Sequence, residues 1–202
     1  MWPLWKKAFD SVSHRSILVA AARLRLPPPF LGYIRELYSN AVTTGPISLG
    51  RGVRQGDPLS IHLFNAVIDM CLAGLDSSLG CEVGDLRVNH GAFADDIALF
   101  AATPRGLQAL ASELEFQLSL CGLTISSGPQ GKSASLCLDI DSKAKKWVIN
   151  PLPFLRVVNE TVPVVSVSQV YRYLGVDVSP HRTKANMGQL LRNGLASISS
   201  AP

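Results

Sequence analysis

Two adjacent carboxylates between two short apolar runs constrain the fold of this chain more than any other feature. Residues 93–96 read Phe-Ala-Asp-Asp, and mostly apolar residues lie on both sides of them. Residues 86–100 therefore predict two strands that turn at Asp95 and Asp96. Like charges side by side resist joint ionisation, and a divalent cation such as Mg²⁺ removes that penalty. The pair indicates either a metal-binding hairpin tip or an ordinary acidic turn.

A glycine- and proline-containing segment, Gly-Val-Arg-Gln-Gly-Asp-Pro-Leu-Ser at residues 52–60, is the second constraint. Gly56 allows close approach of the backbone, and Pro58 suits the first turn of a helix. Arg54 and Gln55 place hydrogen-bond donors beside the N-terminus of that helix. Such an arrangement can receive an anionic ligand, although a structural turn with two polar side chains is the simpler alternative.

The hydrophobic periodicity predicts an α+β chain with helices packed on one face of an antiparallel sheet. Ser13 and Thr103 are expected to cap helices, and Gly122 is expected in a left-handed conformation after one. The predicted helices cover residues 14–26, 28 or 29 to 38, 58–75, 104–121 and 184–198. The other predicted strands lie in a hairpin at residues 42–53 and at residues 134–140, 147–149, 162–167 and 171–178, with no opening strand.

The charge distribution is uneven although the net charge is only +4. From Lys143 onward there are eight basic residues and two acidic ones, Glu160 and Asp177. A basic C-terminal third suits a partner made of phosphates, and a solvated surface is the alternative.

The four cysteines, Cys71, Cys81, Cys121 and Cys137, lack the paired spacing of metal ligands. Most have apolar neighbours, which indicates buried free thiols in a reducing compartment. The most apolar helical segment contains polar residues, so no membrane span is expected. These features predict a soluble intracellular protein.

Five segments in order resemble the palm motifs of non-LTR (LINE-type) reverse transcriptases. They are residues 7–14, 54–60, 93–96, 121–125 followed by Lys132, and 171–175. The amino-acid sequence at residues 13–16 and 171–175 is similar to that of site-specific elements that insert into ribosomal RNA genes. The resemblance implies a polymerase palm, with an antiparallel sheet and helices on one face, and an RNA-directed DNA polymerase activity.

The resemblance also implies roles for individual residues. Asp95 and Asp96 would be catalytic ligands of two Mg²⁺ ions, and Lys132 would act as general acid to the leaving pyrophosphate. The implied nucleotide-binding residues are Phe9, Arg54, Gln55 and Gly56, and the implied primer grip is Tyr173, Leu174 and Gly175. The implied partners are an RNA template, a DNA primer and deoxynucleoside triphosphates, in the nucleus. Judged by the residues alone, Phe9 could equally be a core aromatic, Lys132 a solvated loop lysine, and residues 173–175 part of an ordinary strand.

One position departs from the family pattern, since family members carry a third carboxylate four residues before the Ala-Phe pair. Leu4 stands there, so the two-ion site is expected to be incomplete. Residues 1–180 would form an N-terminally truncated palm without fingers, and residues 181–202 would begin a thumb or connection helix. The chain is therefore expected to be a fragment or a decayed reading frame that does not polymerise alone.

Three functions remain as alternatives. The chain could be a catalytic polymerase segment, or an inactive remnant that at most binds nucleic acid non-specifically. A different palm enzyme, such as a nucleotide cyclase, is disfavoured by residues 54–60 and 171–175.

Overall fold

The structure is a computed structural model that describes most of the chain. The described residues are 2–3, 8–39, 50–54, 56–127, 133–141, 143, 145–150, 154–165, 171–173 and 176–178. The chain divides into two compact units, residues 1–135 with 153–163 and residues 136–152 with 164–202. The predicted domain boundary after residue 180 lies outside the described residues and stays a prediction.

The first unit contains the helices. They are α1 (Ala8–Ser11), α2 (His14–Arg23), α3 (Pro28–Ser39), α4 (Pro58–Leu72) and α5 (Pro104–Leu120), with a 3-10 turn at Ser77–Leu79. The predicted caps are confirmed, because the Ser13 hydroxyl accepts from the Ser16 amide at 3.1 Å and the Thr103 hydroxyl accepts from the Gly106 amide at 3.0 Å. Pro58 and Pro104 lie in first helical turns, as predicted.

The strands pair antiparallel throughout the described residues. The first unit contains one three-stranded sheet, with the strand order β1 (Trp2–Pro3), β5 (Asp96–Leu99) and β4 (His90–Phe93). It also contains two hairpins. In one, β2 (Cys81–Val83) pairs with β3 (Leu86–Val88), and in the other, β8 (Arg156–Val157) pairs with β9 (Glu160–Thr161). In the second unit, β6 (Leu138–Asp141) pairs with β7 (Lys146–Ile149), and β10 (Tyr171–Tyr173) pairs with β11 (Val176–Val178). The expectation of an α+β chain with antiparallel pairing is confirmed.

Several predicted boundaries are wrong. Phe93 pairs with Asp96, so the turn falls at Ala94 and Asp95, one residue earlier than predicted. Residues 86–88 pair with β2 instead of leading into the acidic turn, because Gly84, at φ +61, lets the chain reverse first. An opening strand is present, since β1 pairs with β5.

Other differences occur at element ends. The helices predicted to reach residues 26 and 75 end at Arg23 and Leu72. The first ends early because Arg25 takes a positive φ and Pro27 disfavours a helical residue before it. Residues 171–173 and 176–178 form two paired strands instead of one run. Residues 162–165, the described part of the strand predicted at 162–167, are not in a strand, and the residues before them form β8 and β9. Residues 42–49 and 184–198 lie outside the described residues.

The core of the first unit lies between α2, α4, α5 and the sheet. Its fully buried side chains include Ile17, Phe64, Ile97, Leu114 and Leu118. Leu114 and Leu118 are four residues apart on α5, so they lie on the same face of that helix. Within the described ranges, every helix is too short or too polar to cross a lipid bilayer.

The end of α5 is fastened to the α1–α2 connection through Gly122. This residue has φ +78, and a Cβ atom placed on it would lie 2.9 Å from the Ser11 carbonyl oxygen. One residue earlier, the Cys121 carbonyl accepts from the Ser13 amide at 2.9 Å. The absence of a side chain at Gly122 therefore lets two parts of the chain meet.

We predict that Gly122→Ala lowers the free energy of unfolding by about 1–3 kcal/mol, because a strained φ and a backbone clash act together. Gly32→Ala is the matched control, since no atom lies within 4 Å of its would-be Cβ and it sits inside α3. That control should stabilise the chain by roughly 0.5–1 kcal/mol. Urea unfolding measures both values, and a Gly122→Ala variant as stable as the wild type would contradict the close approach.

Candidate functional site

The two predicted carboxylates lie at the tip of the β4–β5 hairpin. Asp95 is in the turn, Asp96 is the first residue of β5, and both are half-buried. The buried Ile97 and Ala98 anchor the strand behind them. Ala94 has φ +52, an uncommon conformation for a residue with a side chain, and such strain is frequent at functional turns. The hairpin thus presents two neighbouring carboxylates at one edge of the sheet.

A second structural feature joins α1 to the segment before α4. The Val53 amide donates to the Phe9 carbonyl at 2.7 Å, and the Gly52 amide donates to the Val12 carbonyl at 2.7 Å. Gly52 has φ +92, and a Cβ on it would lie 3.1 Å from the Asp10 carbonyl oxygen. His14 Nε2 lies 3.0 Å from the Gly52 carbonyl oxygen. These contacts fix the start of the loop against α1.

Residues 54–60, here called the 54–60 loop, are held from inside by their own polar groups. The buried Ser60 hydroxyl donates to the Arg54 carbonyl at 2.6 Å. An Asp57 carboxylate oxygen accepts from the Leu59 amide at 2.9 Å and so caps α4. Gly56 takes φ +87 in the turn between them. Gln55 lies outside the described residues.

The loop and α1 enclose a cavity of about 360 Å³. That volume is within the range of small-molecule sites. The Phe9 ring forms one wall and stacks on the buried Phe64 ring, with 4.5 Å between ring centroids. The lining residues are Phe9, Val53, Arg54, Gly56, Asp57, Pro58, Ser60 and Ile61. Three of the four predicted nucleotide-binding residues therefore share one cavity, and Phe9 is both a core contact and a cavity wall.

The charge in the cavity comes from Arg54 and Asp57 rather than from the helix end. Because Asp57 occupies the Leu59 amide and its carbonyl accepts from the Ser60 amide at 3.0 Å, these two groups are not open to an anion. The expectation that the N-terminus of α4 receives an anion is therefore revised. The exposed Arg54 guanidinium is the group that can bind phosphate.

Tyr38 lies behind the loop, with its hydroxyl buried next to the Ser60 side chain and the Arg54 backbone. That hydroxyl makes no hydrogen bond of normal geometry to a described residue. Burial raises the pKa of Tyr38 above its ordinary value, so the phenol stays neutral. The ring also packs against His14, with 4.8 Å between ring centroids.

Few side chains of the described residues are placed to bind a metal ion. Among the described residues there is no group of three or more His, Cys, Asp or Glu side chains that could hold an ion. Asp95 and Asp96 alone match the way Mg²⁺ is bound by one or two carboxylates plus substrate phosphates. Leu4 lies outside the described residues, so the predicted loss of a third carboxylate stays a prediction.

The remaining predicted residues are only partly described. Lys132 lies outside the described residues, next to Ser133, whose hydroxyl donates to the Ser126 carbonyl. Tyr173 pairs with Val176 in the β10–β11 hairpin, and the connecting Leu174 and Gly175 lie outside the described residues. Their roles stay predictions.

The functional class follows from a family comparison. A family model described as "Reverse transcriptase (RNA-dependent DNA polymerase)" matches residues 5–178, which include the hairpin tip and the cavity. The chain therefore belongs to the reverse transcriptase family. Members of this family act on a nucleic acid template and nucleotides, and they generally use divalent metal ions.

The branch of the family is indicated by curated relatives from R2 elements. The retrovirus-related Pol polyprotein from type-1 retrotransposable element R2 of Nasonia vitripennis is 38% identical over 199 residues, which are 93% of this chain and 19% of the relative. The Pol polyprotein from type-2 retrotransposable element R2DM of Drosophila melanogaster is 33% identical over 97% of this chain and 19% of its own length. A type-1 R2 Pol polyprotein of Popillia japonica is 35% identical over 84% of this chain and 25% of its own length. The predicted non-LTR resemblance is confirmed, and the chain spans about a fifth to a quarter of these relatives.

Sequence reasoning missed the residues that hold the cavity in shape. His14 and Tyr38 gave no local signal, because their contacts depend on distant backbone. Asp57 and Ser60 did give one. An Asp directly before a Pro is a typical helix start, and the same pattern places a polar residue at the third helical position.

We predict that Ser60→Ala loosens the 54–60 loop and destabilises the chain by about 1–2 kcal/mol, because the Arg54 carbonyl loses its donor. Ser39→Ala is the matched control, since the exposed Ser39 hydroxyl donates to the Arg35 carbonyl at 2.7 Å away from the site. That control should change stability by less than about 0.5 kcal/mol. Limited trypsin digestion should cut after Arg54 faster in Ser60→Ala only. Equal cleavage rates in both variants would contradict the role of Ser60.

Proposed function

We propose that this chain is the palm of an RNA-directed DNA polymerase from an R2-like non-LTR element. In the longer polyprotein, such a palm with a complete ion site would add deoxynucleotides to a DNA primer on an RNA template. The observation that carries the proposal is the single cavity that Phe9, Arg54 and Gly56 line. Because the chain spans only 19% of the first two relatives, the polymerase activity belongs to the assembled protein.

The cavity suits the incoming nucleotide. The Arg54 guanidinium offers paired donors to phosphate oxygens, a geometry that a lysine lacks. The Phe9 ring is fixed by stacking on Phe64 and would lie under the sugar. A rigid aromatic wall there would discriminate for or against a 2′-hydroxyl by its bulk. Gln55 would contact the nucleotide or the template strand.

The carboxylates of Asp95 and Asp96 would hold the divalent ions of the reaction. When bound, such ions activate the primer hydroxyl and neutralise charge on the triphosphate. Both carboxylates are half-buried beside Ala94, whose φ is +52. Lys132 would protonate the pyrophosphate, and residues 173–175 would grip the primer end. The nucleus is the proposed site of action.

A second function is favoured by the number of carboxylates. Asp95 and Asp96 supply ligands on one side of a two-ion site, and Leu4 would leave the other side apolar. A palm with that defect would bind nucleic acid without extending a primer. The basic residues after Lys143 would supply the phosphate contacts.

The two functions differ at position 4. We predict that a chimera, in which this chain replaces the matching segment of the Nasonia vitripennis relative, extends a primer on RNA only when it carries Leu4→Asp. With Leu4 retained, extension should be slower by roughly 100-fold or more, because an ion is misplaced. Primer extension on a gel with Mg²⁺ measures both rates. Residues 1–202 alone should not extend a primer with either side chain.

Two controls accompany that assay, one for the charge at position 4 and one for the role of Asp95. Leu4→Asn has nearly the volume of Asp without a charge and should remain inactive. Asp95→Ala in the Leu4→Asp chimera should abolish extension. Extension by the Leu4 chimera at the Leu4→Asp rate would contradict the incomplete ion site. Activity that survives Asp95→Ala would contradict the whole assignment.

We also predict weak, salt-dependent binding of this chain to a primer–template, without preference for sequence. A plot of log affinity against log salt concentration should have a negative slope. Replacing Lys143, Lys145 and Lys146 together by Ala should make that slope less steep, by up to about 0.9 per lost phosphate contact. Arg87→Ala is the control, since Arg87 lies on β3, outside the basic C-terminal third, and forms an ion pair with Glu82 at 2.6 Å. Fluorescence anisotropy at several salt concentrations measures the slope. An affinity that is independent of salt would contradict binding through phosphates.

A further inference from the structure

Two buried cysteine thiols face each other where α4 and α5 end. Cys71 is in the last turn of α4, Cys121 caps the C-terminus of α5, and their sulfur atoms are 3.6 Å apart. Both side chains are buried, at 1% and 4% exposure, and both are free thiols. The Gln117 carbonyl oxygen, at 3.7 Å, is a second acceptor within reach of the Cys71 thiol. The pair is outside the cavity and the hairpin tip.

The two thiols differ in acidity. The hydrogen bond from Cys71 lowers the pKa of Cys121, with a further contribution from the Ser16 side chain. The same hydrogen bond, together with burial, raises the pKa of Cys71. Cys121 is therefore the sulfur that becomes a thiolate, and thiolates are the reactive form of cysteine.

The two sulfurs are close enough that a covalent bond between them needs only a short approach. A disulfide is about 2.05 Å long, so the sulfurs must approach by about 1.5 Å. Both residues lie at helix ends, where the backbone has more freedom than inside a helix. A rotation of each side chain and a small shift of the α5 end can supply the approach.

We propose that Cys71 and Cys121 form an oxidation site that a peroxide converts to an intramolecular disulfide. The Cys121 thiolate attacks one peroxide oxygen, the O–O bond breaks, and a sulfenic acid and hydroxide form. The Cys71 sulfur then attacks the Cys121 sulfur, the S–O bond breaks, and the oxygen leaves as water with the Cys71 proton. The pair loses two electrons and the peroxide is reduced by two. A thiol reductant reverses the product.

The disulfide would connect the two helices that bracket the acidic hairpin. The segment between the cysteines contains β4 and β5, and α5 begins soon after β5. The Cys121 carbonyl also accepts from the Ser13 amide, so the bond would tie the end of α4 to the α1–α2 connection as well. Oxidation would therefore restrict the opening of the first unit and raise its melting temperature.

The test is peptide mapping of the full chain after hydrogen peroxide treatment. Trypsin leaves Cys71 and Cys81 on one peptide, residues 55–87, and places Cys121 on residues 106–132. The experiment therefore uses the Cys81→Ser variant, in which a link between these two peptides identifies Cys71 and Cys121 without ambiguity. We expect that linked peptide, a loss of two titratable thiols per chain, and recovery of both with dithiothreitol.

Three outcomes of the peptide mapping would overturn the proposal. One is no linked peptide after a time in which free glutathione is fully oxidised. Another is a link that involves Cys137 or a second chain. The third is oxidation to sulfinic or sulfonic acid without a link. Cys71→Ala and Cys121→Ala, each in the Cys81→Ser background, should both lose the peroxide-dependent rise in melting temperature, and a rise that persists in either one would also overturn it.

Discussion

Two short backbone hydrogen bonds between α1 and the segment before α4 bring the parts of the candidate site together. They join Val53 to Phe9 and Gly52 to Val12, each at 2.7 Å. Only a glycine fits at Gly52, because a side chain would meet the Asp10 backbone at a positive φ. These hydrogen bonds therefore fix the position of the Phe9 ring relative to the 54–60 loop. Without this junction, Phe9 and Arg54 would belong to unrelated parts of the chain.

Other residues of the first unit support that junction, and the polar groups of Asp57 and Ser60 form hydrogen bonds with residues close by in the sequence. Asp57 caps α4, Ser60 holds the Arg54 carbonyl, and the α5 end reaches the α1–α2 connection through Gly122. Because Asp57 occupies the N-terminus of α4, the phosphate-binding capacity is left to the Arg54 side chain.

Features that depend on neighbouring residues, such as helix starts, could be predicted from the sequence. Features that depend on contacts with distant parts of the backbone could not. Ser13, Thr103 and Pro58 mark helix starts through contacts within one turn, and all three predictions are confirmed. The acidic turn was placed one residue late, because Phe93 pairs with Asp96 and Ala94 takes a positive φ that is uncommon for alanine. The β2–β3 hairpin was missed although Gly84 gave a turn signal. The family resemblance assigned Phe9, Arg54 and Gly56 to nucleotide binding, whereas the contacts of His14 with Gly52 and Tyr38 are seen only in the fold.

We propose that one nucleotide binds both in the Phe9 cavity and, through a divalent ion, at the acidic hairpin tip. A crystal structure of the chain with Mn²⁺ and a non-hydrolysable deoxynucleoside triphosphate tests it most directly, because anomalous scattering locates the ion. The account predicts the triphosphate against Arg54 in the cavity, with Mn²⁺ between its phosphates and Asp95. A triphosphate bound away from Phe9 and Arg54, or Mn²⁺ held apart from Asp95, would contradict it.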